Sequence, residues 1–540
     1  MSSGTLPFDH ATARASAVVG WVRHYADAVN YVRRGLELFE GYGDAEAIVH
    51  GDRRLSYAEV VSGVRAMSAV LVRQGIRPGG AVAVLAGNPP ESVLVQFALH
   101  LLGCRSVWIA PNAPAKLCAE YLGMADVDAL LYDARPHAEL GEQLAQSIPE
   151  LPVFCLAQVC EEPSEDFVVP VVAQEPQSLF QTGGTTGRPK LVHHRHEFFL
   201  NVLTAAERQL EAGGGRLRQL AVAGFWHSSS QAAAMITLFS GGLLVQHDRF
   251  DAANFLATVQ RERITVATLP PPMLYQVLDH PDLSTTDTSS LVMLSCAGSA
   301  IAPSRLAQAM ERFGPVLLPV YGMSEATLIA AYPTAQHDPA HPERLASCGR
   351  PYSPSRAEVR DEHGKPLGPG EVGEVWASAR LMTSGYWGQP ELTAQTLVDG
   401  WLRTGDVGYI DSEGYLYLVD RVKDMIVTGL TSTNVYSRTV EDALNAHPQV
   451  SAAAVIGVPH ELLGEAVHAF VQLRPNATVT PRELREWAAS RLNELWAPQT
   501  VEIVAELPLT ALGKIDKRRL RSNVDLSVEC ATRTDALPHL

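Results

Sequence analysis

The strongest constraint on the fold is a rhythm along the chain. Between residues 36 and 135, short apolar runs alternate with segments whose apolar positions recur at helical spacing. Residues 57–74 and 91–102 carry the helical pattern, while 81–85, 106–109 and 127–132 read as buried strands. Strands apolar on both faces, joined through helices, predict a largely parallel sheet covered by helices. The rhythm returns after residue 190, with strand-like runs at 220–223, 243–245, 264–269 and 291–295. From about 346 to 420 the texture changes to short strands, Gly-rich turns and the Gly-Glu pairs of 370–374. That pattern predicts an antiparallel or barrel-like section. Residues 424–520 read as a separate α+β unit, helical at 439–446 and 481–492 and strand-like at 452–458 and 469–473. The predicted class is α/β: a large N-terminal domain of layered α/β sheets plus a small barrel-like section (1–422), a small mobile α+β C-terminal domain (423–520) and a polar tail (521–540).

Length and composition agree with this division. A chain of 540 residues with 46% hydrophobic content is too long for one core. Its net charge of −16 argues against a nucleic-acid partner, whose phosphates must be neutralised by Lys and Arg. The seven cysteines are scattered, with no CxxC pair, as expected in a reducing cytosol. The first residues lack a basic segment followed by an apolar core, and the apolar runs are too short to span a bilayer. The expected location is cytoplasmic, with no membrane span.

The most informative stretch is Gln181-Thr182-Gly183-Gly184-Thr185-Thr186-Gly187-Arg188-Pro189-Lys190, which follows the strand-like 179–180. Its glycines let the backbone bend tightly and turn several N–H groups to one place. Thr hydroxyls add donors and Lys190 adds charge, making a cradle suited to a polyphosphate. The loop is not a Walker A motif, because Lys190 is followed by Leu191, and not a G-x-G-x-x-G fingerprint, because Thr182 stands two before Gly184. No G-x-S-x-G elbow occurs. Taken alone, the loop also describes a surface turn.

With this loop the chain resembles the adenylate-forming superfamily of acyl- and aryl-CoA ligases, luciferases and peptide-synthetase adenylation domains, nearest to the aryl-acid and acyl-CoA ligase branch. Further motifs follow in that family's order over about residues 50 to 520. The resemblance places Thr182, Gly183, Gly184, Thr185, Thr186 and Gly187 on the phosphates of ATP, with Thr185 and Lys190 among the catalytic groups. Tyr321-Gly322-Met323-Ser324-Glu325 matches Tyr-Gly-x-Thr-Glu, which implies Tyr321 against adenine and Glu325 on Mg²⁺, a hard cation that takes oxygen ligands. Ala297-Gly298-Ser299 would lie against the nucleotide and the acyl carboxylate, Gly298 and Gly322 bordering the acid. Trp401-Leu402-Arg403-Thr404-Gly405-Asp406 implies Asp406 on the ribose hydroxyls, and Arg421 a second ribose contact. Lys423 aligns with the hinge, about which the small domain swings between half-reactions. Pro508-Leu509-Thr510-Ala511-Leu512-Gly513-Lys514 places the catalytic lysine at Lys514, where an ammonium would stabilise charge building on the α-phosphate.

The implied reaction is ATP-dependent activation of a carboxylic acid to its acyl-adenylate with release of pyrophosphate. Phe225-Trp226-His227-Ser228 stands where α-amino-acid enzymes carry Phe-Asp, so an aryl or acyl acid is expected. His227 would sit beside the carboxylate, and Trp226 is either pocket wall or packing. His193, His194 and His196 read as helix-start and surface residues. The expected acceptor is a CoA or carrier-protein thiol. However, Leu430 replaces the second glycine of the pantetheine segment, and the gap from Gly429 to Asn434 is longer than in the family. An amine acceptor, nitrite activation for diazotisation of an aromatic amine, and a non-catalytic adenylate-binding paralogue are the alternatives.

Overall fold

A computed structural model describes residues 30–111, 115–157, 173–182, 190–211, 213, 215–421, 424, 426–428, 433–460, 464–492, 494, 496–510 and 514–523. The alternating pattern becomes two large sheets. The first is six-stranded, ordered Val153–Cys155, Ala129–Tyr132, Ala81–Leu85, Arg105–Trp108, Gln177–Thr182, Lys190–His194. Its neighbours are parallel except the last two strands, which form an antiparallel pair. Ala81–Leu85 is buried at every position, as a central strand covered on both faces must be. The second sheet is nine-stranded. It runs parallel through Glu46–His50, Leu243–Gln246, Arg218–Ala221, Val266–Leu269, Met293–Cys296 and Leu317–Met323, and antiparallel at both ends.

One hydrophobic cluster joins the two sheets, taking Val82, Val84 and Phe180 from the first and Ile48 and Leu244 from the second. Its filling comes from the helices Pro90–Leu101, buried along its whole length, and Ser228–Phe239. Phe39 meets Tyr57, Phe97 and Phe239 with ring centroids 5.1 to 5.8 Å apart. Each such ring contributes about 1.5–3 kcal/mol by leaving water. Two polar groups of this cluster are paired within the core: Tyr57 donates to the carbonyls of Leu238 and Gly242, and Trp108 Nε1 donates to Gln96 Oε1 at 2.8 Å.

The change of texture near residue 350 is a change of architecture. Arg356–Arg360, Gly373–Ser378, Trp401–Ile410, Leu397–Val398 and Leu416–Arg421 form an all-antiparallel sheet. A further sheet follows, built from Ile426–Thr428, Thr433–Val435, Val450–His460, Gly464–Leu473 and Thr500–Val504. It carries the helices Ser437–Asn445 and Pro481–Arg491 against its own apolar core. A last helix runs Lys517–Asn523, so Arg521 and Ser522 belong to that helix rather than to a tail.

One reading from the sequence is corrected here. His193 and His194 lie on the strand Lys190–His194, and all three histidines are buried rather than on the surface. The strand is buried from Leu191 to His194, which its polar composition conceals, and burial pushes His193 down to about 4 and His194 to about 3, so both are neutral.

Candidate active site

The glycine loop is closed by a strand pair. Thr182 lies opposite Lys190 in register, so the loop connects two antiparallel strands at the edge of the six-stranded sheet. Residues Gly183 to Pro189, including Gly183, Gly184, Thr185, Thr186 and Gly187, lie outside the described residues, as do the expected hinge Lys423 and residues 429–432.

The hub of the site is the turn at the end of strand Leu317–Met323. In a mainly parallel sheet this is the carboxyl edge, where ligands bind. Gly298 lies two residues beyond the neighbouring parallel strand Met293–Cys296 at the same edge, at φ +99° with open space where a side chain would stand. Ala297, Gly298 and Ser299 therefore form a bare rim beside the turn. Gly322 has a different reason to be glycine: a Cβ would stand 2.4 Å from the carbonyl oxygen of Thr327 in the tight hairpin.

Each residue of the turn is held by a different element. Tyr321 donates its hydroxyl to Asp406 Oδ2 at 2.6 Å, joining the nine-stranded sheet to strand Trp401–Ile410. Both side chains are almost fully buried, and burial together with the Asp406 charge pushes the phenol up, so it stays protonated. Asp406 pairs with Arg421 across the strand ladder, which puts both expected ribose contacts at one level. Met323 packs against the cluster of the antiparallel section. The carbonyl of Ser324 accepts from His194 Nε2 at 3.0 Å and from Ser228 Oγ at 3.5 Å. Glu325 Oε1 accepts from the Tyr386 hydroxyl at 2.8 Å.

Tyr386 belongs to a segment that sequence reasoning did not single out. Thr383 N donates to the Glu325 carbonyl, Ser384 N to His193, and Trp387 N to Leu191, while His193 N donates to Gly385. Residues 383–387 thus splint strand Lys190–His194 to the Glu325 turn. The Tyr386 ring also lies 5.1 Å from the Lys190 ammonium, within cation–π range. Nothing in the sequence but a Gly-Tyr-Trp-Gly run marked this segment.

His227 stands immediately before helix Ser228–Phe239. Burial, and then the charge of Lys514, push it down to about 4, so it is neutral at pH 7. The Lys514 charge that adds to this lowering comes from a position 287 residues further along the chain. Lys514 sits in a turn closed by Thr510 N to its own carbonyl at 2.6 Å and by its amide to Thr510 Oγ1 at 3.2 Å. Phe225 is 3% exposed, its ring meets Trp108 edge-on, and its amide donates to Asn88. Trp226 is half-buried across Gly224, packed against the core beside His227.

The donor set fits a magnesium-bound nucleotide. Among the described residues no group of three His, Cys, Asp or Glu could cage a metal by itself. Mg²⁺ is usually held by one or two carboxylates together with substrate phosphates, and Glu325, with only Oε1 bound to Tyr386, suits that arrangement.

Two large sheets, an antiparallel section and a smaller C-terminal sheet with its own core are the architecture of an adenylate-forming ligase. Residues 37–387 match the AMP-binding enzyme family, and residues 439–514 match the AMP-binding enzyme C-terminal domain. The chain belongs to the adenylate-forming superfamily and is an adenylate-forming ligase of the acyl-CoA synthetase-like group. It is 36% identical over 464 residues to the medium/long-chain-fatty-acid–CoA ligase FadD8 of Mycobacterium tuberculosis, covering 81% of this chain and 80% of the relative. It is 33% identical to a feruloyl-CoA synthase of Amycolatopsis sp. over 483 residues, 88% of this chain and 95% of that one. Among solved structures, the amide bond synthetase McbA of Marinactinospora thermotolerans superposes with a TM-score of 0.81 at 35% identity, covering 92% of this chain and 99% of that chain. No helix among the described residues is long and apolar enough to cross a membrane.

Proposed function

We propose that the chain joins an aryl or acyl carboxylic acid to the α-phosphate of ATP and passes the acyl group to an amine. The observation that carries the first step is the convergence on one turn of the Tyr321–Asp406 and Tyr386–Glu325 hydrogen bonds, with the helix that follows His227 tied to the same turn through Ser228. A carboxylate oxygen attacks the α-phosphorus in line, and pyrophosphate leaves. Negative charge grows between two anions, and a cation fixed beside them stabilises it. Lys514 supplies that cation, Lys190 and the glycine loop hold the outgoing phosphates, and Asp406 and Arg421 hold the ribose. Mg²⁺, when bound with ATP at Glu325, supplies charge neutralisation on the phosphates. Neutral His227 can donate a hydrogen bond to the acid without adding charge.

Two observations support an amine in the second step. In the sequence, Leu430 replaces the second glycine of the family's pantetheine segment, and the likeness to the amide bond synthetase extends over almost all of that chain. The amine nitrogen attacks the acyl carbon, AMP leaves, and the nitrogen loses a proton. A thiol acceptor is the second reading, supported by the CoA ligases among the relatives.

ATP–pyrophosphate exchange with a panel of carboxylic acids tests the first step. Exchange with at least one acid, lost by about 10²-fold or more in Lys514→Ala, is the expected outcome. No exchange with any acid, under conditions where ATP binds, overturns it. With an active acid in hand, amine, CoA and nitrite arms separate the acceptors by product mass.

A further inference from the structure

The proposed catalytic Lys514 is held by backbone contacts with Thr510, and a turn alone is a poor reference for a charge. The helix that follows supplies the reference. Three positions on, Lys517 Nζ donates to Ser437 Oγ at 2.7 Å and pairs with Glu441 Oε1 at 2.8 Å. Ser437 is fully buried at the start of helix Ser437–Asn445 and is itself held by Asp420: its amide donates to Oδ2 at 2.5 Å and its hydroxyl to Oδ1 at 3.1 Å. A carboxylate at a helix N-terminus is stabilised there by the exposed amides. Asp420 lies on strand Leu416–Arg421, opposite Val407 and next to the Asp406–Arg421 pair. Glu441 is fixed in turn by the amide of Val455. At the other end of the short helix, Arg521 pairs with Asp424 at 2.9 Å.

The structure assigns Lys517 as the positioning residue for Lys514. A buried chain, Asp420 to Ser437 to Lys517, ties the segment bearing Lys514 to the strand that carries the ribose contacts. The distance between ribose site and catalytic ammonium is thereby set by hydrogen bonds instead of by the connecting turns. Neither composition nor motif order indicated this, since Lys517 sits in the basic run Lys517-Arg518-Arg519 and reads as solvated.

The inference rests on the adenylation reading above, and its test separates the two. In Lys517→Met, the maximal rate of exchange falls about 10²-fold, the loss typical of a reacting group displaced by an ångström. KM for ATP and acid changes less than about threefold, because ground-state contacts remain. Acyl transfer from a supplied acyl-adenylate stays within about threefold of wild type, since that step does not use the Lys514 charge on the phosphates. Lys517→Arg recovers most of the exchange. Ser437→Ala, which removes only the relay oxygen, moves exchange in the same direction by about tenfold and carries the test if Lys517→Met does not fold. Exchange within about twofold of wild type in both variants overturns the assignment, as does an equal loss of exchange and transfer. A readout independent of turnover is the NMR signal of the His227 ring, assigned with His227→Gln. It shifts in Lys517→Met as the ammonium moves away, and an unshifted signal overturns the inference even if no acid supports exchange.

Discussion

Tyr386→Phe removes one oxygen and leaves the ring. In the wild-type chain that oxygen lies 2.8 Å from Glu325 Oε1. Burial, and then the Glu325 charge, push the phenol well above its ordinary range, so it donates at every working pH. Glu325 is only 6% exposed, so water does not replace the lost donor freely. A hydrogen bond to a charged group contributes about 1.5–3 kcal/mol. If all of it were felt in the transition state, exchange would fall about 10- to 100-fold, at roughly 1.4 kcal/mol per decade. A carboxylate free to turn still reaches a cation, so the expected loss is at the low end, about tenfold, with a higher Mg²⁺ requirement. The assay is ATP–pyrophosphate exchange at fixed ATP with Mg²⁺ titrated. The Phe ring keeps its place under Lys190, so the cation–π contact at 5.1 Å serves as an internal control. An Mg²⁺ curve and maximal rate equal to wild type would refute the argument that Tyr386 orients Glu325.

Three further outcomes are expected. Asp406→Ala removes the acceptor of the Tyr321 hydroxyl and the proposed ribose contact, and ATP binding measured by calorimetry weakens about 10- to 100-fold; unchanged affinity would place the ribose elsewhere. Gly349→Ala sets a Cβ 1.8 Å from the Ala331 carbonyl at φ +81°, so denaturant unfolding shows a loss of about 3 kcal/mol or more; a loss under about 1 kcal/mol would mean that the hairpin yields. Burial holds His100 and His194 at about 3 and His193 and His227 at about 4, below the value of about 6.5 in the unfolded chain. The native state then binds fewer protons, so their stabilisation is complete above about pH 6.5 and declines as pH falls towards 4, by about 1 kcal/mol per unit for each histidine. A melting temperature flat across that window would contradict their burial as neutral rings.

Much of the fold was legible because it is written in periodicities. Ala81–Leu85 is predicted residue for residue, since a run of small apolar side chains can only be a strand covered on both faces. Strand Lys190–His194 was not legible: its Lys and two His conceal a buried strand whose polar atoms find partners far along the chain, Ser324 among them. Tyr321, Glu325, Asp406 and Lys514 were named through the order of motifs that the chain shares with the family, and the fold joins Tyr321 to Asp406. Their supports could not be named that way. Tyr386 and Lys517 act through contacts 61 and 80 positions away in numbering, and no local pattern reports such a partner. The burial of Phe225 in a turn closed by His227 N on the Gly224 carbonyl was likewise not marked by any local pattern.

The splint at residues 383–387 has an architectural implication. Leu191, His193 and Glu325 are stitched to it by main-chain hydrogen bonds, which do not depend on which side chains surround them. Changes of side chain around the proposed acid site would leave those bonds intact. Specificity can therefore drift across a lineage while the spacing of Lys190 and Glu325 is inherited unaltered.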